Sequence, residues 1–161
     1  MPFFPLFLLM SSRALKPDKP RPLLYLRVSL RDKRCWALLD SGAADHFISE
    51  EVAAAANLPL TPFGMPMAVS LGNGQIVYVH NYVMADLRFE CYRVLLSLKV
   101  LATNIALVLG YPFLWKHRPL IDWRDRTLVF RKRKYKYVVH RHPGDGLSEE
   151  ALASVENVDP E

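Results

Sequence analysis

The sequence predicts a mostly β domain, a barrel or sandwich with one or two short helices. Three observations lead there. Apolar residues fall in about eight or nine short runs, several of them with the period of two of half-buried strands. Twelve prolines against seven glycines cut the chain into short elements and leave no room for long helices. Only one stretch, residues 49–56, has the composition of a good helix.

The elements follow in order. Leu24, Leu26, Val28 and Leu30 share one face of a first strand, and Arg31-Asp32-Lys33 turns the chain. Residues 34–39 (RCWALL) are apolar on both faces, as a central strand is. The helix over 49–56 (SEEVAAAA) has Ser49 as its cap, Glu50 and Glu51 at the positive end of the dipole, and Asn57 and Pro59 beyond its end. Residues 67–71 and 76–79 flank Gly72-Asn73-Gly74-Gln75, a hairpin signal because Asn-Gly accepts the positive φ angles of a tight turn. A second strand pair alternates through Val83, Ala85, Leu87 and Phe89, then Val94, Leu96, Leu98 and Val100, around Glu90-Cys91. Residues 105–109 (IALVL) form a buried strand closed by Gly110, and Pro112 suits the first turn of a short helix. Residues 120–123 and 127–130 pair across Arg124-Asp125-Arg126.

This order divides the chain into a flexible N-terminal segment (1–22, with the proline-rich ALKPDKPRP linker), a folded domain (23–139), and a flexible acidic tail (140–161). One domain of 161 residues excludes polymerases, kinases and most two-domain enzymes acting alone. It does not exclude an enzyme that builds its site from two copies of one chain. Two cysteines are too few for a disulfide scaffold or a four-cysteine zinc site, and Cys35, in an apolar run, reads as a buried reduced thiol. The first ten residues are apolar but broken by Pro2 and Pro5. They are also shorter than the roughly 20 residues that span a bilayer. No basic region precedes them, so the expectation is an intracellular, cytoplasmic protein without membrane attachment, the nucleus being the alternative.

The chemistry concentrates at Leu38-Leu39-Asp40-Ser41-Gly42-Ala43, an acid delivered on a tight turn at the end of a buried strand. Taken alone, the string also fits a turn chosen for conformation only. Asp45 and His46 follow. Neighbouring side chains in extended chain point apart, so these two read as solvated polar residues and not as a dyad. The histidines and cysteines show no metal-ligand spacing, and neither a metal nor a cofactor is expected. Asp122 reads as structural, accepting hydrogen bonds near a turn, and Trp36, Trp115 and Trp123 as core or interface residues. The cationic run RKRKYK, from Arg131 to Lys136, is a nucleic-acid footprint by charge, but a solvated strand or a nuclear-import patch explains it as well, and nucleic acid is the weaker reading.

The ordered set of motifs is more specific than any member. Residues 37–43 (ALLDSGA), Phe47-Ile48-Ser49 leading into the helix, the 71–75 hairpin (LGNGQ) and Leu107-Val108-Leu109-Gly110 resemble, in that order, the retropepsins, the aspartic proteases of retroviruses and LTR retrotransposons. Residues 109–114 (LGYPFL), His117, residues 119–123 (PLIDW) and 126–130 (RTLVF) look like the gypsy-class retrotransposon version. The resemblance covers residues 23–130. It implies a retropepsin-like closed β-barrel, one lobe per chain, and a homodimer that cleaves a peptide or polyprotein with one Asp40 from each chain. It further implies that Ser41, Gly42 and Ala43 support the active site, that Gly72, Asn73 and Gly74 form the flap, and that Gly110 packs beneath the catalytic loop. Two departures stand out. The family's Met-Asp-Trp after the second Gly is Tyr111-Pro112-Phe113, and residues 78–81 (YVHN) lack a further flap glycine. The acidic residues 149–161 look like the linker ahead of reverse transcriptase in such polyproteins, as in a retroelement fragment or host-retained remnant. A catalytically inactive dimerisation or interaction module of the same fold is the alternative, favoured by the altered flap and the orphan context.

Overall fold

The computed structural model describes residues 23–90, 92–133, 135–140 and 155–157. The expected N-terminal segment, Cys91 and most of the expected tail lie outside the described residues. The elements run β1 (Tyr25–Leu30), β2 (Lys33–Leu39), β3 (Phe47–Ser49), α1 (Glu50–Ala55), β4 (Thr61–Ser70), β5 (Ile76–Phe89), β6 (Tyr92–Leu101), β7 (Leu107–Leu109), α2 (Tyr111–His117), β8 (Leu120–Asp122), β9 (Thr127–Lys132), β10 (Tyr135–His140) and β11 (Val155–Asn157).

Six strands close a barrel in the order β1-β2-β7-β3-β6-β5, with β5 returning to β1 through Ser29↔Arg88 and Leu30↔Leu87. Closure removes the free edges that an open sheet would expose. The barrel interior holds Leu26, Val28, Ile48, Leu87, Leu98 and Leu107. A second apolar cluster lies on the other face of the same short strands: Leu38 of β2, Phe47 of β3 and Val108 of β7 pack with Leu71, Val79, Leu101 and Ile105. Strands β2, β3 and β7 are therefore buried on both faces, which is why their sequences read as unbroken apolar runs and not as alternation.

The mostly β expectation and the closed retropepsin-like barrel are met. Several boundaries differ. Residues 76–79 and 83–89, taken from sequence as two strands, are one 14-residue strand, buried at Val79 and at the odd-numbered positions from Val83 to Phe89. The polar His80-Asn81 between them is no break, because β5 changes partner there: its first half pairs with β4 and its second with β6. β4 begins six residues earlier than its apolar signal, since Pro62, Gly64 and Pro66 are tolerated on an exposed edge with a register shift between Pro62 and Met67. Phe47–Ser49 is a strand and not simply a lead into the helix, while Ser49 Oγ accepts the Val52 amide at 3.0 Å as the expected cap.

Behind Gly110, α2 and the β8-β9-β10 sheet close one end of the barrel. Phe113, Phe89 and Phe130 meet there, and Tyr92 stacks on Phe130 at 4.2 Å. Val129 and Val138 are paired across β9 and β10, so the cationic run is the far end of a hairpin rooted in the core, with Arg131 opposite Lys136. Trp36 is buried, but Trp115 and Trp123 are 63% and 70% exposed and belong to no core. Three residues of the stretch expected as a tail, Val155–Asn157, pair with β2 at Lys33–Cys35.

Candidate active site

Asp40 is set by the two central parallel strands. Leu39 of β2 is level with Leu109 of β7, and the Asp40 amide donates to the Leu109 carbonyl at 2.9 Å. The chain then turns: the Ala43 amide donates to the Asp40 carbonyl at 3.3 Å, and the Gly42 amide donates to Asp40 Oδ1 at 2.8 Å. A carboxylate that accepts a backbone N–H is held in one orientation. Asp40 is 5% exposed, while Ser41 and Gly42 beside it face solvent. A Cβ on Gly42 would lie 3.2 Å from Oδ1, so the amide reaches the carboxylate partly because no side chain intervenes.

Gly110 sits under this loop. A Cβ there would be 2.1 Å from the Asp45 carbonyl oxygen and 2.7 Å from that of Ala43. The next amide, of Tyr111, donates to the Ala43 carbonyl at 2.8 Å. Only glycine lets the end of β7 approach the loop this closely.

Asp45 and His46 correct the sequence reading. They do point apart and form no dyad, but neither is left to solvent. Asp45 forms an ion pair with Lys99 of β6 and accepts the His46 amide at 2.9 Å. The His46 ring is buried, and its Nδ1 accepts the Gly110 amide at 3.1 Å. Burial holds this imidazole below its ordinary proton affinity, as it does the Lys99 ammonium. Sequence reasoning missed His46 and Lys99. The available signal was a polar residue placed directly before a three-residue strand buried on both faces.

The 71–75 hairpin is the tip of the β4–β5 ribbon. Its turn is wider than Asn-Gly suggested. Gly74 alone has positive φ (+81°), the Gly74 amide donates to the Leu71 carbonyl, and the Leu71 amide to the Gln75 carbonyl. That is a three-residue loop closed by a left-handed glycine, with Asn73 spanning it by accepting the Gln75 amide at 2.9 Å. Leu71, at the base of the tip, packs into the cluster with Leu38 and Phe47. Between ribbon and loop lies a cleft of about 330 Å³, walled by Gly42, Ala43 and Asp45 on one side and by Met67, Val69 and Gly72 on the other. Its wall begins two residues beyond Asp40.

Asp40, Gly42, Ala43 and Gly110 thus come together, Gly72 lines the same cleft, and Asn73 and Gly74 stand at the exposed tip. Asp122 accepts the amides of Arg124 and Asp125, both at 2.9 Å, in the structural role expected of it. Among the described residues, no three His, Cys, Asp or Glu side chains gather as a metal site would need, and no helix is long and apolar enough to cross a membrane.

The profile of the PEG10/RTL1 protease domain matches residues 36–137, from mid-β2 to mid-β10. The chain belongs to that family. The match is retropepsin-like and of gypsy-retrotransposon descent, and it takes in Asp40, the hairpin tip and Gly110. Among solved structures, the retroviral protease-like domain of Ddi1 from Leishmania major is similar with a TM-score of 0.54 at 16% identity, over 76% of this chain and 97% of that one. Protein Lpg0085 of unknown function (DUF785) from Legionella pneumophila subsp. pneumophila str. Philadelphia 1 aligns at a TM-score of 0.39 and 12% identity, over 62% of this chain and 89% of that one. The Leishmania likeness establishes the fold of this family member as the retroviral-protease type.

Proposed function

We propose that this chain is an aspartic endopeptidase that works as a homodimer, each copy supplying one Asp40. The observation that carries the reading is the Asp40 turn: a carboxylate held by the Gly42 amide, seated on Gly110, at the end of a cleft roofed by a hairpin. The described residues hold one such turn, and two-fold symmetry supplies the second without further sequence. Two carboxylates brought together share a proton. The ionised one takes a proton from a bound water as its oxygen attacks the peptide carbonyl carbon, while the protonated one donates to the carbonyl oxygen. Collapse of the tetrahedral species breaks the C–N bond as the leaving nitrogen takes up the proton. No covalent enzyme intermediate forms.

Ser41, exposed in the single chain, would hydrogen-bond across the dimer. The backbone at Gly42 and Ala43 faces the cleft, where an extended substrate strand would lie under the β4–β5 ribbon. Closure of the ribbon would exclude water from the reacting bond. An extended polypeptide segment, such as a junction in a polyprotein, is the substrate class this cleft suits.

A second reading, a dimerisation module without catalysis, draws on α2, where Tyr111, one of the residues that depart from the gypsy pattern, and Trp115 stand exposed. One experiment separates them. The purified chain is incubated with a denatured, alkylated protein at mildly acid pH, beside Asp40→Asn and beside wild type with a hydroxyethylene transition-state mimic. The peptidase reading requires cleavage by wild type alone. A stable dimer that leaves the substrate intact supports the module, and cleavage surviving Asp40→Asn refutes the mechanism.

A further inference from the structure

Besides the bond from the Asp40 amide to the Leu109 carbonyl, three contacts join the Asp40 turn to the Gly110 turn at the end of β7. The Tyr111 amide reaches the Ala43 carbonyl, the bare Cα of Gly110 is pressed against the backbone of Ala43 and Asp45, and the Gly110 amide donates to Nδ1 of His46. Only the last depends on a group that can gain a proton near neutral pH. An amide donor needs a lone pair at Nδ1, so this ring is neutral and carries its hydrogen on Nε2. A proton on Nδ1 would set two donors against each other across 3.1 Å in a buried site, which costs the bond and leaves the amide unsatisfied.

We propose that His46 is a positioning residue for Asp40: as the neutral Nε2–H ring it latches the Asp40 turn to the Gly110 turn, and its protonation opens the latch and sets the acid limit of the site. The role rests on Asp40 being the reacting acid. The charged surroundings act together. On its own loop, Asp45 is paired with Lys99 of β6, so that pair brings no net charge, and Asp40 lies six residues earlier. On α2, His117 accepts the Tyr92 hydroxyl at Nδ1 or donates to it, at 2.6 Å. Its proton affinity is lowered first by burial and then by Lys116, His46 and Lys132. Burial is what lowers the proton affinity of His46, and a charged His46 would in turn disfavour protonation of His117. The sign follows: with the folded value below the unfolded one, the latch contributes fully above pH 6.5 and is lost as pH falls through the folded midpoint.

The test uses the full chain and two variants. His46→Asn places a carboxamide oxygen near the Nδ1 position, an acceptor that does not titrate; His46→Leu fills the space without an acceptor. Imidazole nitrogen NMR of the wild type should show His46 as the Nε2–H tautomer at pH 7, with a titration midpoint below 6.5. Melting temperature and kcat/KM against pH should both show an acid limb in wild type that moves to lower pH in His46→Asn, where for cleavage only protonation of the Asp40 pair remains. One pH unit below the midpoint, wild type should keep about a tenth of the activity it shows above it, with the variant-to-wild-type ratio rising accordingly. His46→Leu should be weakened at every pH. An Nδ1–H tautomer at neutral pH, a midpoint at or above 6.5, or an acid limb unchanged in His46→Asn overturns the proposal. The NMR and melting measurements need no cleavage, so they stand if the peptidase reading fails, and they stand if His46→Leu does not fold.

Discussion

Replacing Gly110 by alanine tests how the site is held together. The added methyl would lie 2.1 Å from one backbone carbonyl oxygen, 2.7 Å from another and 2.8 Å from the Asp45 carbonyl carbon. All three belong to backbone, so no side-chain rotation relieves them. Reaching ordinary contact requires the loop or the end of β7 to move by roughly 1 Å, in strands buried on both faces where packing leaves little slack. Overpacking against backbone costs about 3 kcal/mol, the upper end for inserted methylenes. Against a total stability of about 5–15 kcal/mol, this should lower the urea midpoint at constant m-value and reduce the melting temperature by roughly 10 °C. Two other glycines serve as controls in the same assay. Gly64→Ala, with nothing within 4 Å, should be neutral or slightly stabilising. Gly42→Ala meets only the movable Asp40 carboxylate, so its stability should change by less than about 1 kcal/mol while cleavage falls. A Gly110→Ala protein within about 0.5 kcal/mol of wild type would refute the seating of the loop on β7.

Three further outcomes are expected. The Cys35 thiol is pushed up to about 12 by burial, with Arg27 pulling weakly the other way. In a Cys91→Ser background, native protein at pH 8 should therefore react with iodoacetamide many-fold more slowly than unfolded protein, and stability should fall as pH rises from 9 towards 12. Ser49→Ala removes the side-chain acceptor of the Val52 amide and should cost about 1 kcal/mol in chemical denaturation. Asp45→Asn leaves the Lys99 ammonium, on a side chain 15% exposed, without its partner; a loss of about 1–3 kcal/mol is expected, most of it recovered when Lys99→Met is added, as a double-mutant cycle would read.

Legibility in the sequence followed the physics of each segment. The Asp40 turn and Gly110 could be read because a buried apolar strand ending in a turn residue is a local signal, and the order of several such signals identified the retropepsin arrangement. β4 was hidden by Pro62, Gly64 and Pro66, which an exposed edge tolerates and a propensity reading counts as breaks. β5 was divided because no local rule marks a strand that exchanges one partner for another. His46 was misplaced for a related reason: its partner is a backbone amide 64 residues away, and only the closed barrel brings the two together. Lys99 alternates out of the apolar face of β6 like any solvated lysine until the loop carrying Asp45 folds over it.

The central claim, that two copies of Asp40 make one active site, is tested most directly by dilution with an inactive partner. Wild type is co-refolded with an equal amount of Asp40→Asn, and cleavage is compared with that of the same quantity of wild type refolded alone, at concentrations where light scattering shows dimers. Random pairing leaves about half of the wild-type chains with a wild-type partner, so activity should fall to about one half and continue down as more variant is added. Activity that stays unchanged at every ratio would mean that a single Asp40 suffices, and would contradict the account.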